Sequence, residues 1–228
     1  MGVVENIVQI RDKYGYLQEE VAEKLGITRQ TYSKIEKGTN GVTLEQLKTL
    51  SELYGVPIEE FFYGIQNIEK FRQMYRFILS KFKETGIPKT KLAKLLYLSD
   101  FRHFYEHLEP MSGVLYKCKT YGPLADPFLE LTDDLFDAGE IQISCLSMGA
   151  QMILPASVDE TYDLLSEEEK KEMEEICELW RDINTQVIVN YTHHQKPWMA
   201  CRENEVIPYT LILQEEPDHV YTPVTRIR

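Results

Sequence analysis

The stretch from Leu17 to Gly38 constrains this chain more than any other part of it. Two short helical patterns, one through Val21, Ala22 and Leu25 and the other through Tyr32 and Ile35, are joined through Gly26. Helices so closely connected must cross, and each apolar position has a task. Ala22 is small where the helices approach, Gly26 makes the turn, and Val21, Ile27 and Ile35 fill the wedge between them. Thr28 stands where a side-chain oxygen can cap the second helix. Arg29, Gln30, Ser33 and Lys34 are then left facing outward near the N-terminus of that helix. Around this pair, residues 3–63 carry further short helical patterns that stop at Gly15, Gly38 and Gly55. Thr43 and Gln46 form a capping box for a fourth helix.

The same stretch resembles the helix-turn-helix of Cro/C1-type repressors over residues 3–63, through Gln18 opening the first helix and Thr28 to Thr31 opening the second. That resemblance implies a recognition helix whose N-terminal end enters the DNA major groove. It assigns Gln18 to a backbone phosphate and Arg29, Gln30 and Lys34 to bases, with Thr28, Thr31 and Ser33 on the same polar surface. Arg or Gln there can make bidentate base contacts. The alternative is a helical domain whose polar helix only faces solvent or binds protein. Charge limits the DNA reading: the chain holds 25 Lys+Arg against 37 Asp+Glu, and residues 1–64 hold 7 − 10 = −3. Few phosphates can be neutralised, so non-specific affinity is expected to be weak. Specific binding is expected to need a homodimer on a palindromic operator, in the promoter of its own gene.

After Phe61, Phe62, Tyr63 and Gly64 the pattern resets, which predicts domains at 1–64 and 65–228. The expected fold is mainly α with a small β-hairpin: an N-terminal five-helix domain followed by a larger, mostly helical second domain. A stripe from Phe71 to Phe82 predicts a long helix ended by Gly86. Pro88 opens another through Phe101, Asp126-Pro127 caps one that Gly139 ends, and Ser166 with Glu169 starts one through Trp180. A further helix is expected from Thr185 to His193. The hairpin falls between Ile141 and Pro155, around Met148, Gly149 and Ala150, and is the one clear strand signal.

In the second domain Lys94-Leu95-Leu96-Tyr97-Leu98-Ser99-Asp100-Phe101 resembles the signature helix of the Panacea, or SocA-like antitoxin, domain. Tyr121-Gly122-Pro123 and Thr192-His193-His194-Gln195-Lys196-Pro197-Trp198 agree with it in order, and the likeness spans residues 67–213. Cys118 and the tail after Ile212 depart from the usual pattern. Family members often carry a Cro/C1 helix-turn-helix in front, as here. The resemblance implies the antitoxin of a type II toxin-antitoxin system, which binds a cognate protein toxin directly and regulates its own transcription. At least one family member acts instead as a proteolytic adaptor. Tyr97, Asp100, Tyr121, His193 and Trp198 are the candidate toxin-interface residues, with Asp100 and His193 alternatively a buried pair and Tyr97 and Trp198 alternatively core. A ligand-responsive repressor with a C-terminal sensor domain is the competing function.

No enzyme is expected, and no catalytic residue or cofactor is assigned. His103-x-x-Glu106-His107 lacks the glutamate position of a metallopeptidase, and Ala138-Gly139, a cleavable small pair, reads as a helix end. The five histidines and the widely spaced Cys118, Cys145, Cys177 and Cys201 form no recognised ligand spacing; His103 and His107, four apart, could still bind a metal but read as ordinary helix-surface residues without a further ligand cluster, so no metal is expected. The cysteine usage and the absence of a long apolar window favour a cytoplasmic protein without a membrane partner.

Overall fold

The computed structural model describes residues 3–58, 60–64, 66–145, 149–157 and 160–222. The chain divides into two compact units, Met1–Gln66 and Asn67–Arg228. The first contains α1 (Val3–Lys13), α2 (Gln18–Lys24), α3 (Arg29–Glu36), α4 (Leu44–Tyr54) and the short α5 (Glu60–Tyr63). Its core is built from Ile7, Ile10, Val21, Tyr32, Leu50 and Phe61, all fully buried. Ala22 is buried as the close crossing of α2 and α3 requires, while Ile27 packs at the edge of the core and stays half-buried. The capping box of α4 forms in both directions: Gln46 N donates to Thr43 Oγ1 at 3.2 Å, and Thr43 N donates to Gln46 Oε1 at 2.9 Å.

The second unit is organised on one helix. Its elements are α6 (Ile68–Ser80), β1 (Ile87–Pro88), α7 (Lys89–His107), β2 (Tyr116–Lys117), β3 (Leu124–Ala125), α8 (Phe128–Asp137), β4 (Ile141–Cys145) and β5 (Gln151–Pro155). They continue with α9 (Glu167–Trp180), α10 (Thr185–His193), α11 (Lys196–Met199), a 3-10 turn at Tyr209–Gln214 and α12 (Asp218–Tyr221). Helix α7 packs against α6, α9, α10 and the 3-10 turn. A helix enclosed in this way buries residues on nearly every face: Leu92, Leu95, Leu96, Tyr97 and Phe101 fill the core, and Lys91, Lys94, Ser99 and Asp100 are buried beside them.

The expected hairpin is present as β4 and β5, with Ile143 opposite Ile153, although Met148 of its loop lies outside the described residues. The sheet is larger than that, because β1 adds to β5 in the order β1-β5-β4 through Ile87 and Ile153. Gly86 makes the addition possible: its φ is +68°, and a Cβ there would lie 2.9 Å from the Ile153 carbonyl oxygen. A second pair, β2 with β3, carries no alternating pattern long enough to read from sequence. Asp126 departs from its expected capping role. Its carboxylate takes Lys117 Nζ at 2.9 Å, and Pro127 occupies the N-cap of α8 without a side-chain bond. Among the described residues no helix is long and apolar enough to cross a membrane.

Candidate functional site

In the first unit the polar surface is raised on a firmly held base. Thr28 caps α3, its Oγ1 accepting from Thr31 N at 3.1 Å and sharing a hydrogen bond with Thr31 Oγ1 at 2.9 Å. Tyr32 and Ile35 anchor the helix from beneath, which leaves Arg29, Gln30 and Lys34 exposed and Thr31 and Ser33 half-buried along its flank. Glu36 at the end of α3 ties three helices together. It accepts from Arg11 Nε of α1 at 2.5 Å and from Gln18 Nε2 of α2 at 2.6 Å. An amide nitrogen carries two N–H donors. One is therefore committed to Glu36, which fixes the Gln18 side chain.

In the second unit the segments that carry the Panacea resemblance converge. Lys94 in α7 is almost completely buried, and its Nζ donates to the Pro123 carbonyl at 2.6 Å. Burial lowers this amine to about 7. Gly122, at φ +90°, lies against the lysine stem: a Cβ there would come 2.9 Å from Lys94 Cε, 3.0 Å from Thr192 Oγ1 and 3.2 Å from His193 Cδ2. Only glycine tolerates both the backbone angle and the approach. His193 stacks on Trp198 with ring centroids 4.2 Å apart, and Trp198 Nε1 donates to the Lys119 carbonyl at 3.3 Å. His193 Nε2 is buried without a hydrogen-bond partner. Burial, and then the charge of Lys94, hold its imidazole below the usual histidine range. On the outer side of Lys94 and Gly122 opens a cavity of about 200 Å³ between Lys89, Lys119, Tyr121 and Phe128. Tyr121 is 73% exposed at its mouth.

The structure separates the expected interface residues. Tyr121, His193 and Trp198 belong to this convergence, whereas Tyr97 and Asp100 face the core and are fully buried. Tyr97 packs on Phe101 and Tyr116, at centroid distances of 4.3 and 5.6 Å. Asp100 is not the partner of His193. Its Oδ1 accepts from Ser112 N at 2.7 Å, and its Oδ2 accepts from Ser112 Oγ at 2.6 Å and Tyr116 OH at 2.8 Å. Burial raises this carboxyl even though three donors oppose it. Lys94 and Gly122, quoted in the motifs but not singled out, are at the centre instead. A lysine inside an apolar helix face and a glycine beside proline were the available signals.

The expectation of no metal rested on spacing along the chain. Folding adds what spacing hides: Glu172 of α9 lies against His103 and His107 of α7, and ligand atoms of the three lie within 4.8 Å of one another.

A capped, anchored helix presenting Arg, Gln and Lys beside a second crossing helix defines the class of helix-turn-helix DNA-binding proteins. Comparison with known proteins agrees. Residues 7–61 match the helix-turn-helix family model, and residues 92–199 match the model described as antitoxin SocA-like, Panacea domain. An uncharacterized HTH-type transcriptional regulator of Archaeoglobus fulgidus is 36% identical over 56 residues, 25% of this chain and 80% of that protein. The cryptic phage CTXphi transcriptional repressor RstR of Vibrio cholerae is 49% identical over 43 residues, covering 19% of this chain and 39% of the repressor. A regulator of Sinorhizobium medicae is 44% identical over 52 residues, 23% of this chain and 37% of its own length. The chain thus spans well under half the length of the last two. No solved structure matches it. Through its first unit the chain belongs to the helix-turn-helix transcriptional regulators, with a SocA-like antitoxin domain behind. Domains and relatives indicate a regulator rather than an enzyme.

Proposed function

We propose that the protein is the antitoxin of a type II toxin-antitoxin system, binding a cognate protein toxin through its second unit and its own promoter, as a homodimer on a palindrome, through α3. The observation that carries this reading is the convergence of Lys94, Gly122, His193 and Trp198 behind the exposed Tyr121, in a chain whose other unit exposes Arg29, Gln30 and Lys34 on α3. Tyr121 and Lys119 are the contacts offered to the toxin, while Lys94, Gly122 and the His193–Trp198 stack hold that loop in place. In the first unit Arg29, Gln30 and Lys34 read bases and Gln18 grips a phosphate, with Thr28, Thr31 and Ser33 lining the helix start.

The test is a double dissociation in the full chain. Arg29→Ala is expected to weaken operator binding by about 1–3 kcal/mol while rescuing cells from the toxin as well as wild type does. Tyr121→Asp is expected to abolish rescue and leave the promoter footprint unchanged. Loss of both activities in either variant refutes the division of labour.

A ligand-responsive repressor is the second reading, and the cavity of about 200 Å³ beside Lys94 favours it. Under that reading no neighbouring toxin exists, and Tyr121→Asp alters induction of the promoter rather than survival.

A further inference from the structure

Helices α7 and α9 pack side by side, and on the facing turn of α7 His103 and His107 stand one above the other with ring centroids 4.3 Å apart. Residues four apart on a helix share a face, so both rings meet the same neighbour. That neighbour is Glu172 of α9, a glutamate only 6% exposed. Its Oε2 lies 2.9 Å from His103 Nδ1 and its Oε1 lies 3.0 Å from His107 Nε2. Two imidazole nitrogens and a carboxylate thus point at one locus. An ion bound at about 2.0–2.2 Å by such ligands holds them about 3.4 Å apart in a tetrahedral arrangement. The three ligand atoms already lie within 4.8 Å of one another, so side-chain rotations that draw them around one point, opening the two contacts to the carboxylate, complete the arrangement.

The surroundings fit a cation. The opposite nitrogen of His103, Nε2, lies 3.9 Å from Glu169 Oε1, beyond hydrogen-bond length but near enough to add negative charge behind the ring. Glu169 is itself held, accepting from Lys70 Nζ at 2.5 Å and from Ser166 N at 2.8 Å as part of the α9 capping box. Glu106 Oε2 lies 3.9 Å from His107 Nε2. An open groove of about 540 Å³ reaches the pair from solvent and is lined by Glu109, Asp163, Glu168 and Glu169, with Lys70 the one lysine among the described residues of its walls. Such a groove concentrates divalent cations and leaves the fourth coordination position to water.

We propose that His103, His107 and Glu172 form a binding site for a divalent first-row transition cation that clamps α7 to α9. Two imidazoles with one carboxylate select this class over calcium and magnesium, which take oxygen sets. Binding needs each facing nitrogen free of a proton, which leaves to solvent from a protonated ring or is carried by the opposite nitrogen of a neutral one, and the ion sheds one bound water for each protein ligand it gains. The competing description is a His–Glu–His hydrogen-bonded link with no affinity for metal.

The probe is cobalt(II) added to the full chain after chelator treatment, followed by visible absorption and calorimetry, with zinc used for melting curves. One ion per chain is expected, with bands of a nitrogen and oxygen ligand set and no intense thiolate band. His107→Asn and Glu172→Gln are each expected to weaken binding about tenfold or more and to abolish the zinc-induced rise in Tm, with the circular dichroism spectrum unchanged. Cys118→Ser is expected to bind as wild type. The inference is overturned if no ion binds, if both variants bind like wild type, or if a thiolate band disappears in Cys118→Ser. His107, with 34% of its side chain exposed, decides the matter should Glu172→Gln fail to fold.

Discussion

In the first unit, Arg29, Gln30 and Lys34, the exposed residues proposed to read DNA, come from one helix of eight residues, and what holds them is close by in sequence: Thr28 caps it, Tyr32 and Ile35 anchor it. In the second unit, Tyr121 reaches solvent from a loop whose supports come from α7, α10 and α11, with Lys94 and Trp198 both bonded to loop carbonyls. The first arrangement separates contact from support, so side chains on the outer face of α3 can change with little effect on folding. The second makes support non-local, so most of its residues act on stability before they act on recognition. A surface assembled from distant segments stands or falls with the core that assembles it.

The hardest test of that contrast is Asp100→Ala, which leaves Ser112 N, Ser112 Oγ and Tyr116 OH without an acceptor in the core. It is expected to destabilise the second unit by about 3–5 kcal/mol in urea titration, while promoter binding by the first unit persists. Loss of footprinting by the folded first unit would break the comparison.

Lys94 gives a pH signature. A lysine amine in an unfolded chain titrates near about 10.4, whereas burial lowers this one to about 7. Between those values the unfolded chain binds a proton that the folded chain lacks, so stability from this group rises with pH. At lower pH both states are protonated and the full penalty of the buried charge persists. Melting curves of wild type and Lys94→Met are expected to shift in favour of wild type as pH climbs from about 7 to about 10, and a constant difference contradicts the assignment.

Gly122→Ala is a sharper probe of the same locus, because its Cβ meets Lys94, Thr192 and His193 and its backbone angle is unfavourable. A loss of about 1–3 kcal/mol is expected, together with weaker rescue, whereas a neutral result would mean that the loop can shift freely. Thr28→Ala is the smallest change, removing one cap from α3. It is expected to lower stability of the first unit by about 1 kcal/mol, read by thermal melting, and to leave the second unit's transition where it was.

Much of the helical frame was legible because its signals are local. Ser166 and Glu169 form the predicted box, the helix at Thr185–His193 has the expected limits, and α6 follows the stripe from Phe71. The short strands β1, β2 and β3 were not legible, since two residues carry no period and their partners lie far along the chain. The same limit hid the acceptor role of Asp100 toward Ser112 and Tyr116. It also hid the meeting of Glu172 with His103 and His107, 65 residues and more away. Tyr97 and Asp100, three apart, share a helix face, and spacing cannot say whether that face is outward.

Helix α7 carries Lys94 under the Tyr121 loop, Asp100 in the core and His103 with His107 toward α9. Under the proposed antitoxin function, a genetic screen for alleles that fail to rescue cells would therefore return two kinds of mutant. Alleles at the buried positions of α7, Lys94 and Asp100 among them, would be recessive and temperature-sensitive, failing in survival through lowered abundance. Alleles at Lys119 and Tyr121 would keep normal abundance, repress the promoter fully and fail in survival alone, and partner changes that suppress them would map directly onto the surface that meets this loop.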